Sequence, residues 1–145
     1  MDNDVVNLPP RHVWIVGFLS LMWNGFGAYD YVMTNIRDAE YLKQFPPEMI
    51  PVIDAFPVWV MAAWALGVWG ALAGSLLLLL RSRLAVHAFA VSLAGLAASQ
   101  AWQASIELPA AMKTPAMLAM SAVIWAGAIG FLVYAMRMRR SGTLR

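Results

Sequence analysis

The sequence contains no cysteine. That absence removes disulfide frameworks, thiol nucleophiles and cysteine-based zinc or iron–sulfur sites together. Histidine is scarce as well, with only His12 and His87 present. A haem or metal centre built on that pair would lack the further ligands and hydrogen-bonding partners such sites require, so neither metal nor cofactor is expected. Charge is equally thin: Lys, Arg, Asp and Glu make up 12% of the chain, against about 25% in soluble domains. No basic stripe interleaved with aromatics exists, which excludes nucleic-acid binding. Also missing are a Ser/His/Asp set at one depth, an HExxH helix, a phosphate-cradling glycine loop and a Glu-x-x-His pair. Asp30 and Glu107 are the one plausible carboxylate pair, and no spacing fixes their separation. No enzymatic activity is expected.

What is present is apolar: 61% of the 145 residues are hydrophobic, and the mean hydropathy is +0.65. The excess is gathered into blocks of about 20 residues, the length that crosses a hydrocarbon core. The pattern predicts an all-α polytopic membrane protein. A single transmembrane domain over 1–145 would hold four spans in up-down order, at roughly 12–35, 57–80, 84–106 and 116–136. The acidic start (Asp2, Asp4) and the long first apolar run do not fit a cleaved signal peptide. Between the first two spans, Pro46-Pro47 is a hard stop. After it, Met49, Ile50, Val52, Ile53 and Phe56 mixed with Glu48 and Asp54 predict a short segment lying in the interface. The tail 137–145 is basic and is expected to fray.

Orientation follows from the distribution of cations. Arg11, Arg81, Arg83, Arg137, Arg139, Arg140 and Arg145 fall on one side of a four-span layout, and Arg37, Lys43 and Lys113 on the other. Both termini are therefore expected in the cytoplasm.

The first span is the unusual one. Ser20, Asn24, Gly27, Tyr31 and Asn35 share one helical face, flanked by Asp30 and Thr34. Polar groups at membrane depth need partners inside the protein, so this face should turn inward. The third span offers Ser92, Gly95, Ser99 and Gln103 on one face, with Gln100 at its edge. Matching depth as well as angle predicts an outward polar pocket. Its walls would be Asn24, Asp30, Tyr31, Thr34, Ser99, Gln100 and Gln103, with Arg37 and Glu107 at the mouth. Two readings of that pocket differ in kind. The Asn, Gln and Ser groups could simply join helices, with Asp30 hydrated or paired to Arg37. Alternatively, Asp30 could hold a small polar ligand or a proton.

Small residues mark further packing surfaces. Gly67, Gly70 and Gly74 form a ridge on the second span, and Ala119, Ala122, Ala126 and Gly130 form one on the fourth. They predict close contacts within the chain or across a homo-oligomer. Of seven tryptophans, Trp14, Trp59 and Trp102 fall near span ends, where indoles favour the interface. Trp23, Trp64, Trp69 and Trp125 lie deeper, as fillers of volume or stacking surfaces for a ligand.

The stretch Trp23-Asn24-Gly25-Phe26-Gly27-Ala28-Tyr29-Asp30-Tyr31-Val32-Met33-Thr34, with Arg37 and Tyr41-Leu42 beyond it, resembles a family of small four-span bacterial inner-membrane proteins. Pro57-Val58-Trp59, Trp64-Ala65-Leu66-Gly67-Val68-Trp69-Gly70 and Gly74-Ser75-Leu76-Leu77-Leu78-Leu79 with Arg81 continue the likeness, which covers about the first two-thirds of the chain. The family is uncharacterised, and some members carry a loose sugar-transporter label. The resemblance implies a bacterial envelope location and a motif centred on Asn24, Asp30, Tyr31, Thr34 and Arg37; it names no substrate. Two functional classes follow. One is an accessory or assembly protein that packs with itself or a larger membrane complex. The other is a small-solute or proton carrier or sensor, acting as a homo-oligomer through the pocket near Asp30.

Overall fold

Prolines and a threonine set the helix starts. Pro10 and Pro57 stand in extended conformation (ψ 136° and 153°) immediately before α1 (Arg11–Asn35) and α4 (Val58–Leu79). Pro57 thus precedes the helix and is not its first residue. Thr114 accepts the amide of Met117 at 3.3 Å and Pro115 opens α6 (Pro115–Arg140), a hydroxyl cap with proline at the first helical position. In the computed structural model, which describes residues 10–145, two short helices, α2 (Ala39–Leu42) and α3 (Met49–Asp54), occupy the long first connection. Pro46-Pro47 separates them, and Asp38 caps α2 by accepting the Tyr41 amide at 2.8 Å. α5 (Leu84–Ser105) follows α4 after a tight turn, and a single 3-10 turn (Ala110–Met112) leads to α6. The described residues are 79% helical and contain no strand.

Three helices end in the same way. At α1, Asp38 N bonds Met33 O and Arg37 N bonds Thr34 O. At α4 the pairs are Ser82 to Leu77 and Arg81 to Leu78, and at α6 Thr143 to Met138 and Gly142 to Arg139. This is the Schellman closure, which demands a left-handed residue. Gly142 (φ 75°) meets that demand without cost, whereas Arg37 and Arg81 (both φ 57°) adopt it despite their side chains.

Three helices, α4, α5 and α6, are long and apolar enough to cross a membrane. The apolar pattern of the sequence predicts four. α1 has the length, at 25 residues, but His12, Asn24, Asp30 and Asn35 lower its apolarity below that of its neighbours. α6 runs to Arg140, a turn beyond the expected boundary at 136.

The long helices alternate in direction. α4 is central, with α5 packed tightly on one side and α1 on the other, while α6 leans on α5. The glycine ridge explains the α4–α5 contact. A Cβ at Gly95 would meet Gly67 N at 2.6 Å, and one at Gly70 would meet Ala88 O and Ser92 N at 3.1 Å, so the two backbones approach as only glycine allows. Ser92 Oγ donates across this seam to Gly67 O at 2.5 Å. The ridge on α6 is different: Ala119, Ala122, Ala126 and Gly130 are all exposed.

The best-buried cluster lies at the end where α4 turns into α5. It comprises Leu78, Ala85, Val86, Phe89, Ala135 and Leu144. Leu144 belongs to the tail, which is ordered, contrary to the fraying expected of it. Arg145 N donates to Arg81 O at 2.7 Å and Arg83 N to Arg145 O at 3.1 Å, clipping the tail to the α4–α5 turn. Elsewhere the surface is strongly apolar, with Phe18, Met22, Phe26, Val58 and Leu118 at 58–87% exposure.

Candidate functional site

The polar face of α1 meets α4. Asn24 Nδ2 donates to Ser75 Oγ at 2.9 Å and to Ala71 O at 3.3 Å, and Ser75 Oγ in turn donates to Ala71 O at 3.0 Å. One side-chain amide therefore bridges two helices and satisfies a fully buried serine. Further along the seam, the Tyr31 ring stands edge-on to Trp64 (centroids 4.7 Å apart) and Trp69 (6.0 Å). Phe56, in the connection before α4, extends this cluster to Trp64 and to Trp102 of α5, at 6.2 and 5.0 Å. The inward turn of the α1 face holds for Ser20 and Thr34, both buried; Asn35 at its end is exposed and bonds only Tyr31 O.

At the far end of α1 the charged groups find partners in the first connection. Tyr41 OH donates to Asp30 Oδ1 at 2.6 Å. The N-cap of α2 places the tyrosine there, and its ring packs edge-on against Tyr29 and tilted against Phe45. Burial raises the Tyr41 phenol well above its ordinary range. The hydrogen bond to Asp30 and the negative charge of that carboxylate raise it further. The tyrosine is thus held as the neutral phenol. Arg37 pairs with Asp54, at the end of α3. Beside it lies a shallow open groove of about 610 Å³, with Arg37 and Lys43 on its rim and Leu42, Phe45 and Ile50 among its lining. Lys43 is itself paired with Glu40.

The expected pocket between α1 and α5 is not assembled. α4 is the main neighbour of α1, and the α5 groups are occupied elsewhere: Ser92 Oγ on Gly67 O of α4, Ser99 Oγ on Leu96 O at 3.0 Å, and Gln103 Nε2 at 3.5 Å from Ser99 O. The Gln100 side chain is half-buried and makes no hydrogen bond among the described residues, and Glu107 is exposed beyond the end of α5. Asp30, Tyr31, Thr34 and Arg37 do gather at one end of α1, together with residues outside the expected set: Tyr41, Asp54, Phe56, Trp64 and Trp69. Of these, Tyr41 had a signal in the sequence, because Asp38-Ala39-Glu40-Tyr41 reads as a capped first turn. Asp54 and Phe56 had none. His12 contacts Tyr134 OH through Nδ1 at 2.6 Å and so ties α1 to α6. Among the described residues no cluster of His, Asp and Glu could hold a metal ion.

No family model, no curated protein and no solved structure matches the chain.

Proposed function

We propose that the chain is a multi-pass membrane protein of the accessory or assembly type, working by contact with other chains or a second copy of itself. The carrying observation is the internal satisfaction of α1. Asn24 is consumed by Ser75 and Ala71, Asp30 by Tyr41, and Arg37 by Asp54, so the groups a carrier would offer to a solute are already bonded. No buried side-chain nitrogen or oxygen among the described residues lacks a partner. Meanwhile the small-residue ridge of α6 is uncovered.

The same bonding supports α1 as a fourth span. It runs antiparallel to α4 from the Gly17–Leu79 contact to the Tyr31–Trp64 contact, sharing the depth of an apolar helix while turning its polar groups onto it. This gives a four-helix transmembrane bundle with α2 and α3 at the interface. The cation asymmetry puts both termini in the cytoplasm, and the α1 motif favours a bacterial inner membrane. A solute- or proton-binding role keeps one observation in its favour, the open groove beside Arg37 and Lys43.

The deciding experiment measures the mass of the complex extracted from native membranes in mild detergent. Expected is an assembly larger than one chain, which Ala126→Phe on the α6 ridge dissociates without loss of fold. A single-chain particle stabilised by protons or a small solute, with the response lost in Asp30→Asn, would instead establish the carrier.

A further inference from the structure

The end of the molecule where α4 turns into α5 gathers guanidinium groups, and no Asp or Glu side chain among the described residues lies beside them. Arg11, Arg81, Arg83, Arg137, Arg139, Arg140 and Arg145 all lie there. Every described carboxylate (Asp30, Asp38, Glu40, Glu48, Asp54 and Glu107) belongs to the opposite end, as do both ion pairs among the described residues. Two of the arginines are held. Arg81 Nε donates to Thr143 O and Arg83 Nε to Leu144 O, each at 3.2 Å. Leu144, fully buried, anchors the strip of tail that supplies those carbonyls. The reciprocal backbone bonds between 81–83 and 145 bring Arg145 alongside. The terminal nitrogens of Arg81 and Arg83 have no partner among the described residues.

Like charges fixed side by side repel, so this arrangement gains from an external anion. A guanidinium whose Nε is committed still presents its two terminal nitrogens, a geometry that suits phosphate oxygens. The cluster caps the ends of three helices long enough to cross a bilayer, which sets it at headgroup level.

We propose that the Arg81-Ser82-Arg83 turn and the folded-back tail form a docking site for the phosphodiester headgroup of an anionic phospholipid. The proposal rests on the membrane placement above. It is tested by thermal unfolding of the full chain in detergent micelles, titrated with phosphatidylglycerol or phosphatidylcholine. The anionic lipid should raise the midpoint and the zwitterionic lipid should not. Arg81→Gln with Arg83→Gln should raise the half-saturating lipid concentration on the order of tenfold. Arg139→Gln with Arg140→Gln removes the same charge outside the tail clip and should have a smaller effect. Equal losses from the two pairs would reduce the site to bulk charge and overturn it, as would equal responses to the two lipids. Stabilisation by inorganic phosphate alone would point to a soluble anion and overturn it too. If the glutamine pair does not fold, Arg81→Lys with Arg83→Lys carries the test. That pair keeps the charge without the planar fork, so severalfold weaker binding is expected and unchanged binding refutes the site. A chain that stays folded and dispersed without detergent would defeat the membrane placement itself. One that needs detergent yet ignores lipid charge would defeat only the docking site.

Discussion

Asp30 and Tyr41 illustrate how one residue settles the role of another. A lone carboxylate near the end of an apolar helix invites a functional reading, but a phenol donating at 2.6 Å from the next helix leaves it less to offer. The raised phenol has a consequence for alkaline stability. An unfolded tyrosine loses its proton near pH 10, whereas Tyr41 in the folded chain keeps it. Above that pH the unfolded state binds fewer protons than the folded one, so this contribution is complete below about pH 10 and is lost as pH rises further. Ultraviolet titration should find the Tyr41 phenol ionising well above pH 10. Tyr41→Phe should remove it, and Asp30→Asn should lower it. Arg37 poses a question of magnitudes. Its left-handed backbone costs about 1–2 kcal/mol. Its ion pair with Asp54, more than a third exposed on both sides, contributes roughly 0–1 kcal/mol. Arg37→Gly should therefore unfold within about 1 kcal/mol of wild type, with relief of strain offsetting the lost pair. A large loss of thermal stability would mean that the pair matters far more than its exposure suggests.

Between elements, the α4–α5 seam carries the tightest packing, and its glycines are needed for approach and not for backbone freedom. Gly95→Ala would drive a methyl into the backbone of α4 at Ala63 and Gly67 and should cost about 1–3 kcal/mol or more, read as a lowered unfolding midpoint in detergent. Gly130→Ala on α6, with nothing within 4 Å of the added carbon, is the matched control and should leave the midpoint unchanged or slightly raised. The α1–α4 seam differs in kind, being held by a few polar bonds and by aromatic edges. α6 is the least committed helix. Only a shallow crevice of about 250 Å³, lined by Trp23, Val123, Ala126, Gly127 and Phe131, separates it from α1.

Across the whole molecule, charge and burial are both polarised along the helix axes. The buried cluster and every arginine except Arg37 share one end, and the tail joins them through Leu144. Truncating that plug by Leu144→Ala removes a fully buried side chain more than 50 residues in sequence from its α5 neighbours, and should cost about 2–4 kcal/mol in detergent melts. The cation asymmetry yields a topology test, made clean by the absence of native thiols. Gln44→Cys should react with an impermeant maleimide on intact cells, and Ser141→Cys only after permeabilisation. The reverse pattern would invert the orientation proposed here.

Helix positions were legible from residues alone because their determinants are local. Pro46-Pro47, Pro57 and Pro115 act on their own backbone, and the Gly67, Gly70 and Gly74 ridge follows from helical spacing. A helical wheel also shows that Ser20, Asn24, Tyr31 and Thr34 share a face. It does not show which neighbour that face meets. The serines and glutamines of α5 looked like the natural partner, but hydroxyls within a helix can satisfy themselves on their own carbonyls, as Ser99 does on Leu96. Asn24 needs any acceptor at the right depth, and Ser75 with Ala71 on α4 provides one. Pairings such as Tyr41 with Asp30, Arg37 with Asp54 and Leu144 with the α4–α5 core join residues whose separation along the chain carries no periodic signal. They arise only when the folded backbone brings them within bonding distance. The sequence therefore specified the helices and their polarity, while three-dimensional packing assigned each polar group its partner.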